Sequence, residues 1–242
     1  MERLLLEKGK PLKSRNRAAE ILANLPMFRN TGAARLQELA RHARMLHAPR
    51  GTSVARRGEP SPGLAAVAYG LIKLALKGET EKVLRLVGPG ETFAEAALFL
   101  DQPLPVDADA LADSLIVIVP PAPLLALFDA DRSFARGLLA SMSQRMHELV
   151  TDFEATTQHG ALERLAAYLE SLAPPGEAPA ALFLPATKTV VAARLSMTKE
   201  TLSRLLHQLA RDGLVSVSRR EIRLLDRTRL AAAARGDRDA AP

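Results

Sequence analysis

Thr187–Val215, TKTVVAARLSMTKETLSRLLHQLARDGLV, is the stretch on which the fold turns. Ala192, Ala193 and Leu195 close one short helix, Ser196-Met197 makes a tight turn, and a second helix runs from about Thr198 to Arg211. Thr198 is a good N-cap, and Glu200 in the first turn complements the helix dipole. Leu202, Leu205, Leu206 and Leu209 recur at i, i+3, i+4 and i+7, which predicts one buried stripe. Lys199, Glu200, Ser203 and Arg204 fall off that stripe near the helix start, where a helix–turn–helix presents side chains to base edges. Gly213 ends the helix, and Leu214–Ser218 with Glu221–Leu225 read as a hairpin turning at Arg219-Arg220. Taken alone, the pattern also fits an amphipathic helix pair with solvated charges.

Outside this stretch, composition narrows the choices. A chain of 242 residues has room for two modest domains, and with 48% hydrophobic and 25% charged residues it reads as a soluble globular protein. It holds no cysteine, which excludes disulfides, thiolate metal sites and a cysteine-ligated iron–sulfur cluster, and fits a reducing cytoplasm. No apolar run approaches the roughly 18–20 residues that span a bilayer. The start, MERLLLEKGKPLKSRNR, lacks the apolar core and cleavage site of a signal peptide, so a cytoplasmic location without membrane contact is expected. A net charge of +6 favours a polyanionic partner. The charge is uneven: residues 161–242 carry 13 Lys/Arg against 9 Asp/Glu, so the excess gathers around the helix–turn–helix.

Moving towards the N-terminus, Leu162–Leu172 predicts a helix, followed by the Pro-rich loop Ala173–Ala180. Before Gly160, a long helix begins near Asp131. Ala135, Leu139, Met142, Met146, Leu149, Phe153 and Thr156 follow one another at alternating steps of four and three. That is a heptad seam, which suits a dimer coiled coil, and a helix packed on its own β-domain is the alternative. Pro120–Phe128 is a further short helix. From Arg44 to Pro120 the texture is short strands with glycines at their joints: Met45–His47, Thr52–Ala55, Leu64–Tyr69, Leu71–Leu76, Lys82–Val87, Val106–Ala112 and Leu115–Val119. Such spacing argues a sandwich or barrel. Thr92–Leu100, TFAEAALFL, has helical composition and reads as one short helix inside it. Arg17–Leu25 and Ala33–Ala43 are short helices, residues 1–16 a flexible basic arm, and Arg227–Ala234 a final helix capped by Asp226. The last eight residues look frayed.

Together the strand-rich segment, the seam helix and the winged helix–turn–helix resemble the family of the cyclic-AMP receptor protein and the fumarate–nitrate reduction regulator (CRP/FNR). The resemblance is carried by Leu184–Val217, LPATKTVVAARLSMTKETLSRLLHQLARDGLVSV, and by Glu221–Leu230, EIRLLDRTRL. Glu91–Leu111, ETFAEAALFLDQPLPVDADAL, is similar to the family's Dnr branch, whose members respond to nitric oxide. The resemblance implies an α+β fold. Its parts would be a β-roll of the cyclic-nucleotide-binding type (a double-stranded β-helix) over 17–130, a dimerisation helix over 131–159 and a winged helix–turn–helix over 160–242. It implies a homodimer that binds double-stranded DNA at a palindrome, contacts RNA polymerase and carries no enzyme activity. The family's E-x-x-S-R motif falls on Glu200, Ser203 and Arg204, which assigns them to bases, with a TTGAT- or TTGAC-like half-site. Thr187, Lys188, Lys199 and Thr201 are expected on the phosphate backbone, and Leu139, Met142, Met146, Leu149 and Phe153 in the dimer interface.

For the effector, Glu95 stands where the family places the carboxylate that meets a cyclic nucleotide's ribose. The Arg-Ser pair for the phosphate falls at Leu104-Pro105-Val106, which cannot neutralise a buried anion, so cyclic AMP is not expected. The Dnr resemblance suggests haem b and a response to nitric oxide or oxygen limitation. Candidate ligands are His42, His47, His147, His159 and His207, each also readable as an ordinary surface or core histidine. Histidines expected in the arm and just before Leu195 are missing, and Arg194 takes the latter place. The alternative is a regulator that needs no ligand or answers another small molecule. Phe93, Glu95, Leu98 and Phe99 are the candidate effector pocket, and rotation of the seam helix is the candidate switch. Enzyme signatures are wanting: there is no Gly-rich phosphate loop and no nucleophile elbow, and Asp107 with Asp109 is a lone carboxylate pair.

Overall fold

The computed structural model describes residues 11–174 and 179–236, in two compact units that divide between Met146 and His147. The first unit opens with α1 (Pro11–Ala23), a turn at Pro26–Phe28 and α2 (Ala33–His42). Residues 11–16, expected in the arm, are thus helical, while 1–10 lie outside the described residues.

Eight strands follow: β1 (Arg44–Ala48), β2 (Ser53–Ala55), β3 (Leu64–Tyr69), β4 (Ile72–Leu76), β5 (Lys82–Val87), β6 (Thr92–Phe93), β7 (Asp107–Ala110) and β8 (Ser114–Val119). They form two antiparallel sheets, ordered β1-β8-β3-β6 and β2-β7-β4-β5. Strand alternation assigns each side chain its layer. Leu46, Ala65, Val67, Ile116 and Ile118 of the first sheet pack with Ala55, Ile72, Val87, Ala108 and Ala110 of the second. Their neighbours Met45, Leu64, Ala66, Leu115, Val117 and Val119 face the other way, into a helical layer. Every residue of β8 is therefore buried, which explains the unbroken apolar run LIVIV that follows Ser114.

The expected helix over Thr92–Leu100 is corrected. Thr92-Phe93 pairs with Ala65-Ala66 as β6, Ala94 takes a left-handed φ of 71°, and only Glu95–Phe99 continues as a helix, α3. Helical composition was outweighed by the ladder bonds that the edge of β3 offered.

Helix α4 (Pro121–Ala130) leads to α5 (Arg132–Gln158). The first turns of α5 bury Phe134 and Leu138 among α1, α2 and α4, with the Phe134 ring stacked on Phe28 at 4.9 Å. Gly137 permits this approach, because a Cβ there would lie 2.5 Å from the Met27 carbonyl oxygen. Asp131 starts the helix: its Oδ1 accepts from the Ser133 amide (2.9 Å), the Phe134 amide (3.2 Å) and the Ser133 hydroxyl (2.5 Å), while Arg35 pairs with Oδ2. Farther along, the seam emerges. Leu139, Leu149 and Val150 are exposed, as are Met146 (67%) and Phe153 (69%), whereas Met142 is half-buried against the first unit's core. The reading as a helix packed on its own β-domain therefore holds for the first turns, and the rest of the seam is left exposed. The Thr156 side chain lies outside the described residues.

The second unit contains α6 (Ala161–Leu172), β9 (Ala180–Phe183), α7 (Lys188–Arg194), α8 (Lys199–Arg211), β10 (Val215–Ser218), β11 (Glu221–Leu224) and α9 (Arg227–Ala234). Asp226 caps α9 by accepting from the Arg229 amide at 2.9 Å. The strands form one sheet, β10-β11-β9. β9 was not foreseen. Part of the Pro-rich loop before it, 175–178, and the final residues 237–242 lie outside the described residues.

Candidate nucleic-acid interface

Helix α7, the turn and α8 form the helix–turn–helix. Thr187 caps α7 by accepting from the Val190 amide at 3.5 Å, and Thr198 caps α8 by accepting from the Thr201 amide at 3.1 Å. The four leucines at 202, 205, 206 and 209 are buried as their spacing required. Gly213, at φ 72°, takes the left-handed position after the helix, and the Leu214 amide closes on the Leu209 carbonyl at 3.0 Å.

With that stripe buried, the opposite face is fixed. Glu200 and Arg204 are exposed, Ser203 is half-buried, and neither Glu200 nor Arg204 is bonded to another side chain among the described residues. His207 and Arg211 are also exposed and continue the row at i+7 and i+11 from Glu200, an extension that the motif-based reading missed. Lys199 and Thr187 are exposed, Lys188 is half-buried, and the Thr201 hydroxyl accepts from that of Thr198 at 3.0 Å, keeping its own proton to donate. A free guanidinium matches guanine O6 and N7, and a free carboxylate can accept from cytosine N4.

A positioning residue invisible to motif reading is Arg164 of α6. Its Nε donates to the Leu195 carbonyl (3.0 Å), Nη2 to the Ser196 carbonyl (3.5 Å) and Nη1 to the His159 carbonyl (2.6 Å). One side chain thereby ties the residue at the end of α5 to the turn that aims α8. Ser196 itself sits at φ 54°, and three hydrogen-bonded carbonyls help hold that strained turn. Beneath α7, burial pushes the Tyr168 hydroxyl up to about 12, against the opposing pull of Arg194.

In the first unit the four candidate pocket residues do not line one space. Phe93 packs between the two sheets, whereas Leu98 and Phe99 belong to the helical layer, with Phe99 5.4 Å from the Phe128 ring. Glu95 is 4% exposed and ion-paired with Nη1 of Arg145 on α5, whose Nη2 donates to the Thr92 hydroxyl at 2.5 Å. Asp109 pairs with Lys77 at 2.8 Å, and Asp107 accepts from the Arg57 amide at 3.3 Å, so both carboxylates serve the sheet. Among the described residues no histidine is directed into the space between the sheets where a haem would sit. His42 is exposed and pairs with Glu38, His147, His159 and His207 are exposed, and Nδ1 of half-buried His47 lies 3.5 Å from the Tyr69 hydroxyl. Leu46, Val67, Phe93, Leu104 and Ile116 fill the space between the sheets. Among the described residues no helix is long and apolar enough to cross a membrane.

Comparison with known proteins agrees with this division. Residues 163–233 match the Crp-like helix-turn-helix domain, and 45–131 match the cyclic nucleotide-binding domain. The transcriptional regulator SdrP of Thermus thermophilus is 30% identical over 179 residues, covering 70% of this chain and 83% of its own. The cyclic AMP receptor protein of the same organism is 29% identical over 185 residues, covering 74% and 84%. A solved transcriptional regulator of the CRP/FNR family, also from Thermus thermophilus, superposes with a TM-score of 0.63 at 28% identity, over 79% of this chain and 98% of that one. FixK2 from Bradyrhizobium japonicum, at 22% identity, shares the fold with a TM-score of 0.70 over 79% and 96%. SdrP and the solved CRP/FNR protein are named as transcriptional regulators, and the Crp-like helix-turn-helix domain fits that role rather than an enzyme's. The chain belongs to the CRP/FNR family and is a DNA-binding transcription regulator of α+β fold.

Proposed function

We propose that the protein acts as a homodimer that reads a palindrome of TTGAT- or TTGAC-like half-sites, one α8 per half-site, and recruits RNA polymerase there. The observation that carries this reading is the row Glu200, Ser203 and Arg204, held outward by the burial of four leucines behind it. Arg204 reads guanine, Glu200 the cytosine opposite, and Ser203 packs beside a thymine methyl. Thr187, Lys188, Lys199 and Thr201 set register on the phosphates. The exposed seam of α5 supplies the twofold interface, which sets two α8 helices about one helical turn apart.

Control by haem gains no support from the placement of the histidines. The alternative does: the buried carboxylate of Glu95 is already neutralised from within the chain by Arg145, and Leu104-Pro105-Val106 offers no cation for a phosphate. We therefore favour a dimer that binds DNA without cyclic nucleotide. Fluorescence anisotropy of a labelled TTGAT-N4-ATCAA duplex against a scrambled one, with purified cofactor-free protein, tests this. The intact duplex should be preferred, and Arg204→Ala should relax discrimination at the G·C pair by about 1–3 kcal/mol. Uniform weakening with unchanged preference for G would remove Arg204 from the reading row.

A further inference from the structure

The loop between β10 and β11 has two residues, Arg219 and Arg220, with Ser218 facing Glu221 across the ladder. Loops this short turn by placing a residue at positive φ, a conformation that glycine, asparagine and aspartate adopt at little cost. Here an arginine takes it, with Arg219 at φ 55°. Nothing inside the fold explains the choice, because the Arg219 side chain is exposed and makes no hydrogen bond or ion pair with any described residue. Strain held at an exposed, unpartnered cation is a pointer to a contact outside the chain.

Its neighbour shows where that contact lies. Arg220 donates from Nε (3.1 Å) and Nη2 (2.6 Å) to the Leu184 carbonyl, and the Leu184 amide donates to the Arg220 carbonyl at 2.9 Å. Leu184 precedes by three residues the Thr187 cap of α7. The hairpin tip is thus fastened beside Thr187 and Lys188, the pair assigned above to the phosphate backbone. With α8 in the major groove, those two residues mark the phosphate ridge that bounds it. The surface across that ridge is the minor groove.

We infer that Arg219 enters the minor groove flanking each half-site and makes affinity depend on the groove's width there. This rests on the DNA reading proposed above. A guanidinium is weakly hydrated and is drawn to the concentrated negative potential of narrow A·T-rich segments. The wing then contributes specificity at base pairs that α8 never touches.

The test is selection from a randomised duplex pool by full-length wild type, Arg219→Gly and Arg219→Lys, followed by titration of matched duplexes. All three proteins should return the same core, but only wild type should enrich A·T pairs beside it. For wild type, A-tract flanks should bind about tenfold tighter than G·C flanks, and Arg219→Gly should reduce that ratio below about twofold. Inosine·C flanks, which remove the minor-groove amino group but keep the G·C major-groove pattern, should behave like A·T. Arg219→Gly should also melt a few degrees higher, because glycine relieves the turn, so lost flank preference cannot be blamed on lost fold. Equal weakening on both flanks would mean a phosphate contact and overturn the inference, as would an unchanged ratio. A core other than TTGAT would refute the half-site alone, whereas no core from wild type would refute the DNA reading and this inference together.

Discussion

At the scale of single residues, Asp131 shows how a local cap acquires a pH signature. Its carboxylate accepts from the Ser133 hydroxyl, pairs with Arg35 and caps two amides of α5, which together outweigh burial and hold it well below the usual carboxylate range. A carboxylate depressed in the folded state contributes stability that is complete above its unfolded value and lost as pH falls through the folded one. The unfolded value is about 3.9, so acid loss begins only below it. Asp131→Asn should cost about 1–2 kcal/mol at neutral pH. In denaturant titrations, the gap between the two proteins should stay constant above about pH 5 and narrow below pH 4. A gap independent of pH throughout would mean that the charge of Asp131 does nothing. The sequence placed the start of the long helix near Asp131 but could not display Arg35, which is nearly a hundred positions away. Arg145 was hidden for the same reason. Partnership with Glu95 is set by tertiary contact, and no local pattern encodes it. The placement of Glu200, Ser203 and Arg204 off the buried stripe, by contrast, was legible because helix periodicity decides which side chains face away from four leucines.

At the scale of elements, segments with local boundary signals were readable and those without them were not. Leu64–Tyr69, Lys82–Val87 and Arg227–Ala234 were bounded correctly to the residue, since glycine joints and the Asp226 cap are local signals. β6 and β9 escaped notice: two residues cannot show a period, and β9 owes its strand form to the ladder with β11. Helix α5 combines both cases. The seam spacing was visible, yet only the structure separates Phe134 and Leu138, buried in the first unit, from Leu139, Met146, Leu149, Val150 and Phe153, which are left in water. Val150 broadens that face beyond the heptad positions. This exposed apolar strip is the observation behind the twofold interface proposed above. Phe153→Glu should therefore weaken dimerisation by about 2 kcal/mol or more, some thirtyfold in dissociation constant, while the melting curve of dilute protein barely moves. Analytical ultracentrifugation across a concentration series measures the first effect. An unchanged dimer would place the interface elsewhere.

For the whole molecule, the twofold symmetry proposed above would double every contact, and salt dependence would expose the doubling. Each phosphate neutralised by a lysine or arginine releases counterions and adds about 0.9 to the slope of log affinity against log salt. Lys199 is exposed at the start of α8, off the row of Glu200 and Arg204, and is proposed above to meet the backbone rather than a base. One Lys199→Gln substitution in a dimer removes two such contacts. The slope should fall in magnitude by about 1.8, against about 0.9 for a chain that binds singly. Sequence preference should remain intact, since the scrambled and palindromic duplexes present the same phosphates. The same titration on a duplex with one half-site erased should lose most of the affinity for wild type and variant alike, because the second α8 then has no bases to read. A slope change near 0.9 on the full palindrome would mean that only one protomer grips its phosphates. No change would move Lys199 off the backbone and leave Lys188 to carry the positioning.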